Sequence, residues 1–254
     1  DFEAFYAGRQ NGAPPSDSAF LILSVDQKGV VVRHADLLPA TQKKAATGRK
    51  LETRFTRGEP HARKRMATVA AVYYIEPDVR DAASVIAGLR RIKPATETKR
   101  PRPQNKRVWA SLERPLSAVI AEMFDEAQRM DPERKRPWLV LVDGDKKLET
   151  AIRKTARARG AEVNLVLDAI HALQYLWAAG HKLCEEGTPE LEKWVLDRFE
   201  RLLDGKASDV AAGMRRSATK RGLSAQARAP IDTAAKYFLQ RKNLMHYDLL
   251  LEAG

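Results

Sequence analysis

The chain alternates short apolar runs with longer stretches of helical period. Phe20-Leu21-Ile22-Leu23-Ser24-Val25 is a strand-length run ending at Asp26. Gly29 then reads as a turn, and Val30-Val31-Val32-Arg33 as a second strand closing a hairpin. Residues 34–63 are basic and weakly periodic, and predict loops with one short helix. Met66 to Ile75 is rich in β-branched and aromatic positions and predicts a third strand. Residues 76–107 carry Pro94, Pro101 and Pro103 among arginines and read as a mobile, Pro/Arg-rich excursion over the surface.

From Trp109 to Met130 the period becomes helical. Leu116, Val119, Ile120, Met123, Phe124 and Ala127 share one face, and Pro115 suits a first turn. Trp138-Leu139-Val140-Leu141-Val142 is continuously apolar, as in a strand buried on both faces. It ends at Asp143-Gly144-Asp145, and a helix from about Leu148 to Arg159 follows, stopped by Gly160. Val163 to Leu167 is a further buried strand ending at Asp168. Beyond Asp168 everything reads helical. Ile170, Leu173, Leu176 and Trp177 form one stripe, and Leu191, Trp194, Val195 and Leu202 another after a start at Thr188-Pro189. Residues 208–220 and 230–241 continue the trend. The predicted order is β-β-β-α-β-α-β, then helices.

Composition narrows the class. No apolar run approaches the roughly 20 residues of a spanning helix, and no signal peptide opens the chain. The single cysteine, Cys184, excludes a disulfide framework and reads as a small core residue on a helix, which suits a reducing cytoplasm. The first residue is Asp1 rather than Met, so the chain reads as a piece of a longer protein. A net charge of +12 favours a polyanionic partner, nucleic acid before membrane. The basic residues cluster in three runs: Lys43 to Arg65, Arg90 to Arg107, and Arg215, Arg216, Lys220, Arg221 and Arg228. Any one run is commonly a solvated surface; three with few acids between them point to phosphate.

Asp26 and Asp143 both follow apolar strands. A strand-ending aspartate is often a turn residue, but parallel strands bring such residues to one sheet edge, where ligands bind. Three hairpin strands, a helix and two more strands resemble the ribonuclease-H layout, in which the ends of strands 1 and 4 meet. The expected fold is therefore α/β: a ribonuclease-H-like mixed five-stranded sheet flanked by helices. A leading segment would cover residues 1–19, the core residues 20–180, and an all-helical region residues 181–254. Two carboxylates there can hold magnesium through oxygen, and a pair of such ions can drive phosphodiester transfer.

Specific stretches extend the comparison. Ser24-Val25-Asp26-Gln27-Lys28-Gly29-Val30-Val31, Arg65 to Tyr73, Val142-Asp143-Gly144-Asp145-Lys146-Lys147-Leu148, Leu167 to Trp177, and Met245-His246-Tyr247-Asp248 resemble the Kra-type insertion-sequence transposases, and more loosely the Mutator-like DDE transposases. The resemblance runs from about residue 20 to residue 254. It implies that Asp26 and Asp143 are the first two catalytic and metal-binding carboxylates, holding two magnesium ions, with manganese as the alternative. It implies that the helical residues 181–254 are an all-α insertion between the second and third carboxylates, and that the third, a glutamate, lies in a glycine-containing motif beyond Gly254; Glu252 is near but does not match that motif. It implies double-stranded DNA as partner, at terminal inverted repeats and target, and a homodimer or larger synaptic complex.

Asp168 and His171 match an Asp-x-x-His signature of related transposases, which implies a place near the site. The alternative is a helix-capping aspartate with a helix histidine satisfied by a neighbour. Asp145 is either a further ligand or, more commonly, the cap of the next helix. Lys28, Lys146 and Lys147 are candidate phosphate contacts or solvated charges. Trp109, Trp138, Trp177 and Trp194 read as core anchors. Two further classes stay open: a DNA-binding fragment or domesticated transposase-derived protein without chemistry, and a ribonuclease-H-like nuclease.

Overall fold

The computed structural model describes residues 15–47, 64–92 and 100–254. The first apolar run continues past Asp26 into one 12-residue strand, β1 (Phe20–Val31). A 3-10 turn at His34–Asp36 and α1 (Pro39–Thr47) lead to β2 (Lys64–Ile75). β2 lies antiparallel to β1 along its whole length, from Phe20↔Ile75 to Val31↔Lys64. The expected hairpin at Gly29 is therefore wrong. Gly29 lies inside the ladder opposite Met66, because pairing with β2 outweighs the local turn signal.

The Pro/Arg-rich excursion is also more ordered than expected over its described parts, 76–92 and 100–107, while Pro94 lies outside the described residues. Asp81 accepts from the Ser84 N–H and caps α2 (Ala82–Leu89). β3 (Gln104–Ser111) pairs antiparallel with β2. Trp109 thus belongs to a strand, and the helix expected from it begins later, as α3 (Leu116–Met130). β4 (Trp138–Val142), α4 (Lys146–Ala158) and β5 (Asn164–Leu167) follow close to where periodicity puts them. Gly160 adopts φ +59 after α4, a left-handed stop that glycine takes without strain.

The five strands form one mixed sheet in the order β3-β2-β1-β4-β5. β4 is parallel to both β1 and β5. One face carries Leu21, Leu23, Val72, Tyr74, Trp138 and Val140, all buried, and α3 lies on it. The Tyr74 hydroxyl donates to the Met130 carbonyl, and the Phe124 and Trp138 rings meet at 6.3 Å. Buried Asp131 accepts from the Lys135 and Arg136 N–H groups and from Trp138 Nε1, which ties the entry of β4 to the end of α3.

Every regular element from Ala169 onward is helical. These are α5 (Ala169–Gly180), α6 (Pro189–Leu203), α7 (Ala207–Lys220), α8 (Ala225–Arg241), a 3-10 turn at Lys242–Leu244, and α9 (Tyr247–Ala253). Thr188 caps α6 with Pro189 in its first turn. A Cβ at Gly180 would stand 2.8 Å from Leu191 Cδ1, so α5 and α6 pack through that glycine. Buried residues of sheet and helices join in one core, with Phe124, Phe199 and Phe238 fully enclosed. Trp138 and Trp194 are buried in it, and Trp109 and Trp177 pack half-buried against it. Cys184 also packs there, but in the turn after α5 rather than on a helix. Ile170 is exposed; the buried stripe of α5 is Ala172, Leu176, Ala179 and Gly180. Among the described residues no helix is long and apolar enough to cross a membrane.

Candidate functional site

The parallel registers decide where the aspartates stand. The β1–β4 ladder runs from Leu21↔Trp138 to Ser24↔Leu141. Two positions further along both strands are Asp26 and Asp143. The β4–β5 ladder ends at Val142↔Leu167, and the Asp168 N–H donates to the Val142 carbonyl at 2.8 Å. Asp26, Asp143 and Asp168 are therefore level at one edge of three neighbouring strands, each pair of strands being about 4.8 Å apart. Strand alternation puts all three on the face away from α3, with Ser24, Leu141 and Val166. Asp26 is exposed and Asp143 half-buried.

Short bonds orient the carboxylates. Asp26 Oδ1 accepts from the Gln27 N–H at 2.7 Å, and Asp143 Oδ1 from the Asp145 N–H at 2.8 Å. Asp145 Oδ1 accepts from the Lys147 and Leu148 N–H groups, so it caps α4. Asp168 caps α5 through the Ile170 N–H. His171 sits one turn along. Its ring is edge-on to Tyr175 at 5.6 Å and to Tyr237 at 6.1 Å.

The helical region meets this edge at the ends of β4 and β5. Tyr237 of α8 donates its hydroxyl to the Asp143 carbonyl at 2.6 Å, and Arg241 Nε donates to the Gly144 carbonyl at 2.6 Å. Tyr247 donates to the Leu167 carbonyl at 2.9 Å. Tyr237 stacks on Tyr175 at 3.9 Å, and the Arg241 guanidinium lies 4.6 Å over the Tyr237 ring. Burial pushes both the Tyr237 and Tyr247 phenols well above the ordinary tyrosine value; for Tyr237 the neighbouring Tyr175 adds to this, Arg241 opposes it, and Asp143 and Asp168 add smaller upward pushes.

Lys28, Lys146 and Lys147 are exposed beside this edge. The basic runs fare unevenly. In the first, Arg49, Lys50, Arg54, Arg57 and Arg63 lie outside the described residues, while Arg65 donates to the Leu112 carbonyl. In the second, Lys93 and Lys99 lie outside them. Arg107 is buried against Glu126 at 3.3 Å, too enclosed to meet a phosphate. In the third, Arg215 and Arg228 share Asp232, and Arg221 donates to the Leu183 carbonyl, leaving Arg216 and Lys220 as its exposed cations without such ties among the described residues. Net charge overstated the basic surface, because several arginines serve the fold.

The two carboxylates offer oxygen donors alone. Neither Asp26 nor Asp143 is in an ion pair among the described residues, and carboxylate oxygens on adjacent strands suit a hard divalent cation. Among those residues no group of three or more His, Cys, Asp or Glu side chains is gathered tightly enough to hold a metal ion. No protein-family model, curated protein or solved structure matches the chain.

The strand pattern paired Asp26 with Asp143, the resemblance put Asp168 and His171 near them, and neither pointed to Tyr237 and Arg241. Their i, i+4 spacing puts them on one helix face, which is the available signal. Nothing local says that this face meets Gly144, which is 97 residues away from Arg241.

Proposed function

We propose that this chain is the larger part of a ribonuclease-H-like DDE transposase of a bacterial insertion sequence, acting on DNA in the cytoplasm. The observation that carries the reading is the level placement of Asp26 and Asp143 on parallel neighbours β1 and β4, within the strand order β3-β2-β1-β4-β5. That order puts β1 beside β4, the adjacency expected of strands 1 and 4. Asp26 and Asp143 would hold magnesium, or manganese in its place. When bound, a pair of such ions supplies activation of an attacking oxygen and charge stabilisation of the leaving one. Lys28, Lys146 and Lys147 would contact phosphates beside the scissile bond, and the helix-capping Asp145 and Asp168 would shape the turns around it. Duplex DNA at the element ends and target is the partner, in a homodimer or larger synaptic complex.

Asp168 stands level with the pair, yet among the described residues no three His, Cys, Asp or Glu side chains gather to hold a metal ion, which favours one second reading, a DNA-binding fragment without chemistry. Strand cleavage and joining on element-end duplexes with magnesium, by the protein carrying this chain, separates the two. Asp26→Ala and Asp143→Ala are expected to abolish both products. Unchanged activity in both variants overturns the site. Salt-sensitive duplex binding without products, indifferent to magnesium and to both substitutions, establishes the binding fragment. Hydrolysis without joined products indicates a nuclease.

A further inference from the structure

The turn after β4 is held from a distance. Glycine at position 144 adopts φ +88, and an added Cβ would stand 2.5 Å from Arg241 Nε and 2.7 Å from the Tyr237 hydroxyl. The turn is thus closed directly against α8. Two successive carbonyls, those of Asp143 and Gly144, take donors one helical turn apart on that helix. Tyr237 is itself fixed by its stack on Tyr175 of α5 and by the guanidinium over its other side.

Such bonds are not needed to satisfy the carbonyls. At a strand end they could face water at little cost. A glycine turn facing water samples several backbone states, since glycine enters left- and right-handed regions alike. Two directed donors, one of them charged, select one state. In that state the Asp145 N–H reaches Asp143 Oδ1, which fixes the carboxylate, and Asp145 goes on to cap α4.

We infer that Tyr237 and Arg241 are positioning residues for the Asp143 carboxylate, holding the Asp143–Gly144 turn in the conformation that binds a divalent cation. The inference rests on the metal-binding reading above and deepens it. It makes the helical region part of the site's chemistry rather than a neighbour of it. Partners of metal ligands set affinity by fixing orientation, and their loss commonly weakens binding by about 10–100-fold.

The test is manganese binding to the protein carrying this chain, followed by electron paramagnetic resonance, with thermal unfolding measured on the same samples. Tyr237→Phe removes one hydroxyl and keeps the ring stack. Arg241→Gln removes the other donor from a half-exposed position. Both are expected to weaken manganese binding by about tenfold, while Asp143→Asn abolishes it. If Tyr237→Phe and Arg241→Gln bind as the unaltered chain does, even with lowered melting temperatures, α8 merely packs and the inference falls while the metal reading stands. If the unaltered chain binds no manganese, or Asp143→Asn changes nothing, the metal reading falls and this inference with it. Should one variant fail to fold, the other decides.

Discussion

Asp143 leaves β4 into a turn tied by Tyr237, Arg241 and the Asp145 N–H, whereas Asp26 lies inside a 12-residue strand and is placed by its ladder to β2. Its partner there is Val69, and the pairing continues through Val31↔Lys64. The second support is near-continuous backbone pairing, repeated at every residue. The first is a few side-chain bonds from a helix far along the chain. Two carboxylates at the same level of one sheet thus answer to different parts of the molecule, and damage to the helical region should reach one before the other.

The largest way to break the comparison is Phe238→Ala. Phe238 is fully buried on α8, next to Tyr237, and its loss is expected to cost about 3–5 kcal/mol. Hydrogen exchange should rise at Gly144 and Asp145 before it rises at Asp26 and Val69; simultaneous loss of protection would show that the supports are not separate. Gly144→Ala is the next largest. At φ +88, with Arg241 2.5 Å from the new Cβ, it should lower the unfolding free energy by about 1–3 kcal/mol in urea titration. An unchanged midpoint would mean that α8 does not clamp the turn.

Alkaline pH gives a smaller effect on the same side. Tyr237 and Tyr247 keep their protons in the folded state above the pH at which an unfolded tyrosine, with its pKa of about 10, loses one. The unfolded chain then binds fewer protons than the folded one, so stability is intact below about pH 10 and falls as pH rises beyond it. Replacing both with phenylalanine should flatten that fall; an equally steep decline would place its origin elsewhere. The smallest effect is expected from Gly29→Ala. Its Cβ would meet the flexible Lys64 Cδ at 2.9 Å in an extended strand, so the change should stay within about 0.5 kcal/mol. A loss of several times that would restore the turn-like glycine that the sequence suggests.

These two supports also divide what was legible. The α3, β4, α4 and β5 segments follow from long apolar periods, and the Thr188-Pro189 start and Asp145 cap from local chemistry. Gly29 misled because glycine signals a turn only where no partner strand overrides it. β3 was hidden because an edge strand such as Gln104-Asn105-Lys106-Arg107 buries little and follows three prolines within ten residues. Asp143 was visible as a strand-ending aspartate, whereas Asp26 was read as one and in fact lies inside β1. Tyr237 and Arg241 were not visible, since a helix face shows its own period but not what it docks against.

The long β1–β2 pairing has one more consequence. β4 leaves β1 after Ser24, and β3 leaves β2 beyond Thr68, so among the described residues the pairs from Lys28↔Ala67 to Val31↔Lys64 have no strand on either side. They form a two-stranded spur about 13 Å long, rooted beside Asp26 at buried Ala67, braced where Arg65 donates to the Leu112 carbonyl, and carrying exposed Val31 and Met66. A spur of this kind is a ruler. Removing two facing pairs from its outer part would shorten it by about 7 Å while leaving the alternation, and so the facing of Asp26, untouched. The height of the wall beside the aspartates can thus vary independently of the aspartates themselves.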